Sequence, residues 1–564
     1  MTASPSTRPL ARSLLAALLA TTALVAPLPG LAQSLPTGAR VVSGAVSVGT
    51  PADNALVITQ ASRTAIVNWQ GFSIGQGSRV EIRQPDAGAA ILNRVTGATP
   101  STIAGQLKAD GQVYLVNPNG IAITRSGVVS AEGGFVASSL DITDRDFTAG
   151  KRVFRGGGAS AAVTNAGTVS VGRGGYAALL GGRAANSGSI TVPMGRVGLG
   201  SGEQATLDLS GDGFLQVAVP TKAGGAAALV SNEGVIRSEG GRVTLSAAAA
   251  REMARQAVNL SGTVEARGVA GHSGDILLSG GEGVVSARGR IDAAGAAGAR
   301  GGRVRITGRR LDVAGTVDAS GTTGGRVSLR ASEGLGLSGS VAARGTAGTG
   351  GLVEATAPAV ALRGASLDAS GTAGGGTVHL GGGRQGGGTL AHAQTVEVDG
   401  ATTILADAEV SGRGGEVVVW SDAATRFAGT ITARGGGQGG DGGNAEVSSK
   451  GHLAYAGTSD LTAARGAFGT LLLDPHNVTI SGDADKASSG FTASGDDSVV
   501  NATTLLTALK TANVTVSTGT DGTQAGTITL AANTPLSWTS GATLTLQAAG
   551  GITLNSDIAA AAGG

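Results

Sequence analysis

What most constrains this chain is a spacing. The pattern Gly-x-(Val/Ile)-x-Ala recurs along its middle, with its alanines at Ala266, Ala293, Ala319 and Ala343 and a stretched copy ending at Ala369. The steps are 27, 26, 24 and 26 residues. A second pattern is interleaved with it, Gly-Arg-Val at 241–243, 302–304 and 325–327 and Gly-Thr-Val at 376–378. A looser form starts at Asn165-Ala166-Gly167 and returns at Asn186 and Asn232. Two short alternating strands per unit of about 25 residues, with glycine at the corners, describe one coil of a parallel β-helix. A helical repeat of this period needs glycine-free stretches of about 10–12 residues, and almost none exist. The two helix candidates, 247–255 and 503–509, are read as excursions. One coil alone cannot cover its inward Val, Ile and Leu, so each must lean on the next.

Composition agrees with a thin, folded interior. Of 564 residues 99 are Gly, aromatics are 2%, and a 41% hydrophobic fraction with 14% charge excludes a chain kept disordered by its charge. Residues 1–32 read as a secretory signal peptide. Arg8 and Arg12 form its basic start, 14–25 its apolar run, Pro27 and Pro29 break it, and cleavage is expected between Ala32 and Gln33. Removing Arg8 and Arg12 takes the basic side chains from 41 to 39, equal to the 39 acids. The net charge therefore gives no reason to expect a nucleic-acid partner, and no basic cluster is interleaved with aromatics. The chain has no cysteine. That suits a chain threaded unfolded through a pore, and it equally suits a solenoid that needs no staples.

Ahead of the repeats lies a different set of signals. The stretch 112–121 is a short alternating strand that runs into the turn Asn117-Pro118-Asn119-Gly120 and leaves along a second strand. Pro118 presets its own φ, while Asn119 and Gly120 tolerate the left-handed region a tight reversal needs. Around it stand 58–75 with Asn68-Trp69, then Gln84-Pro85, Leu92-Asn93-Arg94-Val95, 103–107, and Gly133-Gly134-Phe135 leading to Ile142. In this order and spacing the series resembles the secretion domain of two-partner secretion exoproteins, the filamentous-haemagglutinin-type or haemagglutination activity domain. Where many members carry Asn-Pro-Asn-Leu ahead of Asn-Pro-Asn-Gly, the nearest counterpart here is Asn93-Arg94-Val95. The resemblance implies an all-β, right-handed parallel β-helix, a pectin-lyase-like solenoid with an amino-terminal cap. It also implies a partner, an outer-membrane β-barrel transporter with periplasmic recognition domains. The chain would pass through the periplasm of a Gram-negative cell and be secreted or held at the cell surface. The secretion motif is then Asn117, Pro118, Asn119 and Gly120, with Asn68, Trp69, Asn93 and Arg94. The expected organisation is a signal peptide (1–32), the secretion domain (33–219) and β-helix repeats (220–480). A further repeat region (481–564), read as truncated, follows a polar loop at 481–498.

Trp69, Phe72 and Tyr114 are expected to fill the wide, capped end of the solenoid core. Asp292, Asp318 and Asp368 hold equivalent repeat positions and are expected to align as a solvated outward ladder rather than a catalytic row. Gly439-Gly440-Asp441-Gly442-Gly443 is a single copy of a pattern that binds calcium only in tandem. The five histidines, 272, 379, 392, 452 and 476, lack metal-ligand spacing. No catalytic, metal or cofactor site is therefore expected. The leading reading is an exported adhesin with a host-cell or surface glycan or protein receptor. The alternatives are a β-helical polysaccharide-degrading enzyme and the amino-terminal shaft of a contact-delivered toxin.

Overall fold

The computed structural model describes residues 35–561, apart from 211–212, 223–226, 251–255, 270, 483–497 and 520–524. The expected signal peptide with its Ala32–Gln33 junction, the end of the first helix candidate and most of the polar loop lie outside the described residues. From Leu35 onward the chain winds as a parallel β-helix with three strands per coil. One coil runs through Arg326–Leu337, turns a corner into Ser340–Ala342, and re-enters the first face at Leu352–Thr356. The sequence reading counted two strands per coil. The strands it missed, such as Val284–Ala287 and Ala359–Leu362, are short and carry no glycine frame that recurs from coil to coil. In two coils the first and second faces even share one continuous strand, Arg303–Val313 and Arg326–Leu337.

Register explains the repeats. On the third face one inward column starts Leu56–Val80–Leu107–Val129–Val169–Ile190. It continues Ile236–Val264–Ile291–Val317–Val341–Leu367–Ile404–Ile431. All fourteen are buried. Stacking β-branched and Leu side chains at the spacing of neighbouring strands, about 4.8 Å, shields each from water only through its neighbours. The column crosses position 219 without interruption. The repeat alanines, Ala266, Ala293, Ala319, Ala343 and Ala369, line the next interior corner and are wholly buried.

Glycine at the corners is a matter of clearance. A β-carbon on Gly302, Gly325, Gly351 or Gly376 would stand 2.1–2.4 Å from the carbonyl oxygen of the corner glycine one coil earlier. A second column, through Gly262, Gly289, Gly315 and Gly339, is equally tight at 1.9–2.2 Å. On the second face the early repeats stack Asn165, Asn186 and Asn232 into a buried amide ladder, each Nδ2 donating to the next Oδ1 at 2.7 Å.

The first coil is capped as expected. Arg40–Ser43 and Val46–Val48 run antiparallel against Thr64–Trp69 and Ala55–Gln60, which closes two open edges. Trp69 and Phe72 fill this end edge to face, with ring centroids 5.3 Å apart. Of the helix candidates, the second is a helix, Ala502–Ala508, capped by the Asn501 side chain. In the first, Ala247 ends the strand Arg242–Ala247 and 248–250 are not helical, while 251–255 lie outside the described residues.

Candidate functional site

The motif residues of the sequence reading fall on one edge of the first three coils. Asn68 is the ladder partner of Arg94, Trp69 of Val95, and Arg94 in turn of Val116, the residue before Asn117. Segments 26 and 22 residues apart in the chain are thereby stacked at a single corner. The corner is stitched across coils. Thr96 donates its N–H and its hydroxyl to the Trp69 carbonyl at 2.8 and 3.0 Å. Asn119 Nδ2 donates to the Gly97 carbonyl, and Asn117 Nδ2 to the Thr99 carbonyl, both at 2.9 Å.

Asn117 itself is fully buried. Its second Nδ2 bond goes to Ser101 Oγ at 3.0 Å, and its Oδ1 accepts the Asn119 N–H and Nδ2, both at 3.0 Å. The turn closes with the Gly120 N–H on the Asn117 carbonyl at 3.0 Å. Gly120 has φ +105°, and a β-carbon there would also meet the Ala162 carbonyl at 3.0 Å, so only glycine fits without strain. Pro118 and Asn119 face outward. The tetrapeptide thus splits into an internal brace (Asn117, Gly120) and an exposed tip (Pro118, Asn119).

The other motif residues divide between the inside and the outside of the sheet. Asn93 lies within the inward column of the first face, between Val67 and Leu115, with no exposure. It is tolerated there because its Oδ1 accepts the Trp69 indole N–H at 3.0 Å. Its Nδ2 and the Asn68 Oδ1 are buried with no partner among the described residues. Arg94 points the other way and grips an outer layer. It reaches Asp141 at 2.9 Å, Asp144 at 2.6 Å and the Ile142 carbonyl. Burial alone would lower the pKa of its guanidinium, but the Asp144 and Asp141 carboxylates outweigh it and raise it.

That outer layer is what the sequence reading missed. Tyr114 does not fill the solenoid interior: Leu115 points inward, so Tyr114 and Val116 point outward, into a second core. The helix Asp144–Thr148 and the antiparallel strands Val153–Arg155, Gln204–Leu207 and Leu215–Ala218 belong to the covering layer, which buries Phe147, Phe154 and Phe214. Arg152 is buried within it, its Nε donating to Tyr114 Oη at 2.7 Å and its guanidinium lying 4.5 Å from the Phe147 ring centre. Tyr114 and Tyr176 share a hydroxyl–hydroxyl bond, and burial pushes the Tyr176 phenol well above its usual pKa. A signal was present. Strands 113–116 and 176–181 are apolar without alternation, as strands covered on both faces are.

The aspartates do align: Asp292 pairs with Asp318 and, through Ala342, the ladder reaches Asp368. Asp318 and Asp368 lie outward and half-buried, as an outward ladder requires, but Asp292 does not. Asp292 is fully buried under Arg267 and Arg290, at 2.7 and 2.8 Å, and its pKa is lowered because these bonds and the Ala294 N–H outweigh the cost of burial. The shared task is a corner brace, each Oδ1 accepting the N–H two residues on: Ala294, Ser320 and Ser370. Among the described residues, no three His, Asp or Glu side chains converge as a metal site.

Comparison with known proteins agrees with this architecture. Residues 32–293 match the family model of the TPS secretion domain. Two heme/hemopexin-binding proteins of Haemophilus influenzae are similar, one 33% identical over 255 residues and one 37% identical over 103. These stretches cover 44% and 18% of this chain but only 27% and 11% of those proteins, so the chain spans little more than a quarter of the curated relatives it matches. The crystal structure of the HMW1 secretion domain from Haemophilus influenzae superposes with a TM-score of 0.50 at 26% identity, covering 77% of this chain and all of that one. Exoproteins with this domain are secreted across the outer membrane to the cell surface or the extracellular space. Residues 32–293 of this chain therefore carry the match to the TPS secretion domain, the domain of two-partner secretion exoproteins.

Proposed function

We propose that this chain is an exoprotein carried across the outer membrane by a partner β-barrel transporter with periplasmic recognition domains, and that the stacked corner at Asn68, Arg94 and Asn117 belongs to the surface or scaffold the transporter requires. The supporting observation is that corner: three successive coils are tied together there, with Pro118 and Asn119 left outward. In this reading residues 1–32 are removed between Ala32 and Gln33, 33–219 form the export module, with the family match running on to 293, and 220–480 with 481–564 form a shaft displayed at the cell surface. The shaft serves adhesion, to a glycan or protein receptor, and no catalytic role is assigned to it. Haem binding, which the relatives' names carry, is not assigned to this chain. The test is export of the full chain from cells with and without the partner barrel. Surface or medium levels should fall to background without it, and unchanged export would refute the proposal.

A further inference from the structure

The first face carries a row of charge that the sequence scatters over more than eighty positions. Its outward edge places Arg242, Asp275, Arg303 and Arg326 on successive coils as direct ladder partners. Three intervals of about 4.8 Å make this a straight row about 14 Å long. Asp275 is engaged by Arg242 at 2.9 Å. Beyond it, Arg303 and Arg326 are like charges directly opposite one another, an arrangement that destabilises a sheet.

Elsewhere on this solenoid arginines commonly meet an acid one coil away. Arg288 reaches Asp312 at 3.0 Å, Arg309 reaches Glu333 at 2.8 Å, and Arg363 reaches Glu397 at 3.3 Å. Arg300, Arg303, Arg305 and Arg326 are exposed and have no acidic partner among the described residues. Arg300, Arg303 and Arg326 line one open cleft of about 620 Å³, and Arg305 lines an adjoining one of about 300 Å³ that shares Arg242, Asp275 and Arg303. Apart from its charged residues the larger cleft is lined mostly by corner glycines, with Ser273, Thr323 and Leu352. The glycine amides are bonded within the solenoid, as Gly301 to Thr323 and Gly325 to Ala319 are. The charged donors that face an anion there are therefore guanidinium forks.

We infer that this arginine-lined cleft binds an acidic polysaccharide along the coil axis through its carboxylate or sulfate groups. Guanidinium forks match the planar bidentate geometry of such oxyanions, and several in a straight row suit a linear polymer with repeated charges rather than a single small anion. A nucleic acid fits less well. Phe214 is the aromatic of these clefts and is fully buried, which leaves no ring on which a base can stack. The inference concerns what the displayed coils bind and does not depend on how the chain is exported.

The experiment titrates the purified full-length mature chain with polygalacturonate (carboxylate only), dextran sulfate (sulfate only), neutral dextran and duplex DNA, at low and at high salt. At least one acidic polysaccharide should bind, more weakly as salt rises, and neutral dextran should not. Arg303→Gln/Arg326→Gln should weaken binding about tenfold or more. Arg288→Gln/Arg363→Gln, which removes two arginines already paired, should change it less than about twofold. Should the first variant fold poorly, Arg300→Gln/Arg305→Gln gives the same reading. Binding by neither acidic polysaccharide, equal losses in the two variants, or binding of duplex DNA alone would overturn the inference.

Discussion

Asn117 offers a perturbation whose consequence follows from its bonds. Alanine there removes two donations, to the Thr99 carbonyl and Ser101 Oγ, and the Oδ1 that orders Asn119. Ser101 is also fully buried, so its hydroxyl cannot turn to water instead. At about 1 kcal/mol net for each lost bond, and 1–3 for a buried group left unpaired, the corner should loosen by about 2–4 kcal/mol. Asn119→Ala loses bonds to Gly97 and Asn117 too, but at an exposed site where water replaces them, and should cost about 0.5–1 kcal/mol. Hydrogen–deuterium exchange reads this locally. Amides of 97–120 should exchange about 30- to 1000-fold faster in Asn117→Ala, and about fivefold or less in Asn119→Ala. Equal protection of the two variants would refute the division into brace and tip. Export separates the roles further. If the transporter needs the corner as scaffold, Asn117→Ala is exported worse than Asn119→Ala. The reverse order means that the exposed tip is read directly.

Three further outcomes test the solenoid itself. Asn186→Leu unpairs both neighbours in the amide ladder and should lower stability by about 2–4 kcal/mol, read as a fall in urea midpoint. Gly325→Ala sets a β-carbon 2.1 Å from the Gly302 carbonyl and should cost at least about 2 kcal/mol, whereas Gly437→Ala meets nothing within 4 Å and should stay within about 0.5 kcal/mol. Glu446 is buried, which raises its pKa to about 7 from 4.5 although the Gln385 N–H bonds its carboxylate. Its folded pKa lies above its unfolded one, so its contribution is complete below about pH 4.5 and is lost as pH rises to 7 and beyond. That loss amounts to about 3 kcal/mol at most. Urea midpoints between pH 4.5 and 8 should therefore fall in the wild type and flatten in Glu446→Gln, and parallel curves would exclude Glu446 as the cause.

The periodic part of this fold was legible because two physical demands recur in every coil. A corner passing under the previous coil's carbonyl admits only glycine, as at Gly302 and Gly325, and the narrow interior corner admits alanine, as at Ala293 and Ala319. Both leave a residue type at a fixed period. Past the Asn165–Asn186–Asn232 ladder the second-face strands impose no such demand, and Leu311 or Val360 can be any apolar residue, so that third of each later coil left no mark. The outer layer was hidden for another reason: which side of a strand a residue faces depends on register. Tyr114 could be assigned outward only once Leu115 was known to point in. The aspartate row was visible from its period but not its burial, because Arg267 reaches Asp292 from the preceding coil.

The two ends of the described solenoid are built on different principles, and this gives the fold a direction. The early coils bury both sides of the first face, the inside against the shared column and the outside against Phe147, Phe154 and Phe214, under a layer pinned by Arg94. Antiparallel strands close their leading edge. Most later coils bury one side, the exception being where the segment 382–392 covers Trp420 and Glu446, and they draw their stability chiefly from adjacent coils, as the column from Val264 to Ile431 shows. In such a quasi-one-dimensional array a new coil gains its burial only by docking on one already formed. The doubly covered, edge-sealed end is the segment able to fold without help, and it can template coils in one direction only. A chain emerging amino-terminus first presents that segment first, so each later coil finds a formed neighbour when it arrives. Damage to the capped coils should therefore disable folding of everything downstream, while a faulty corner such as Gly325→Ala should leave the coils before it intact.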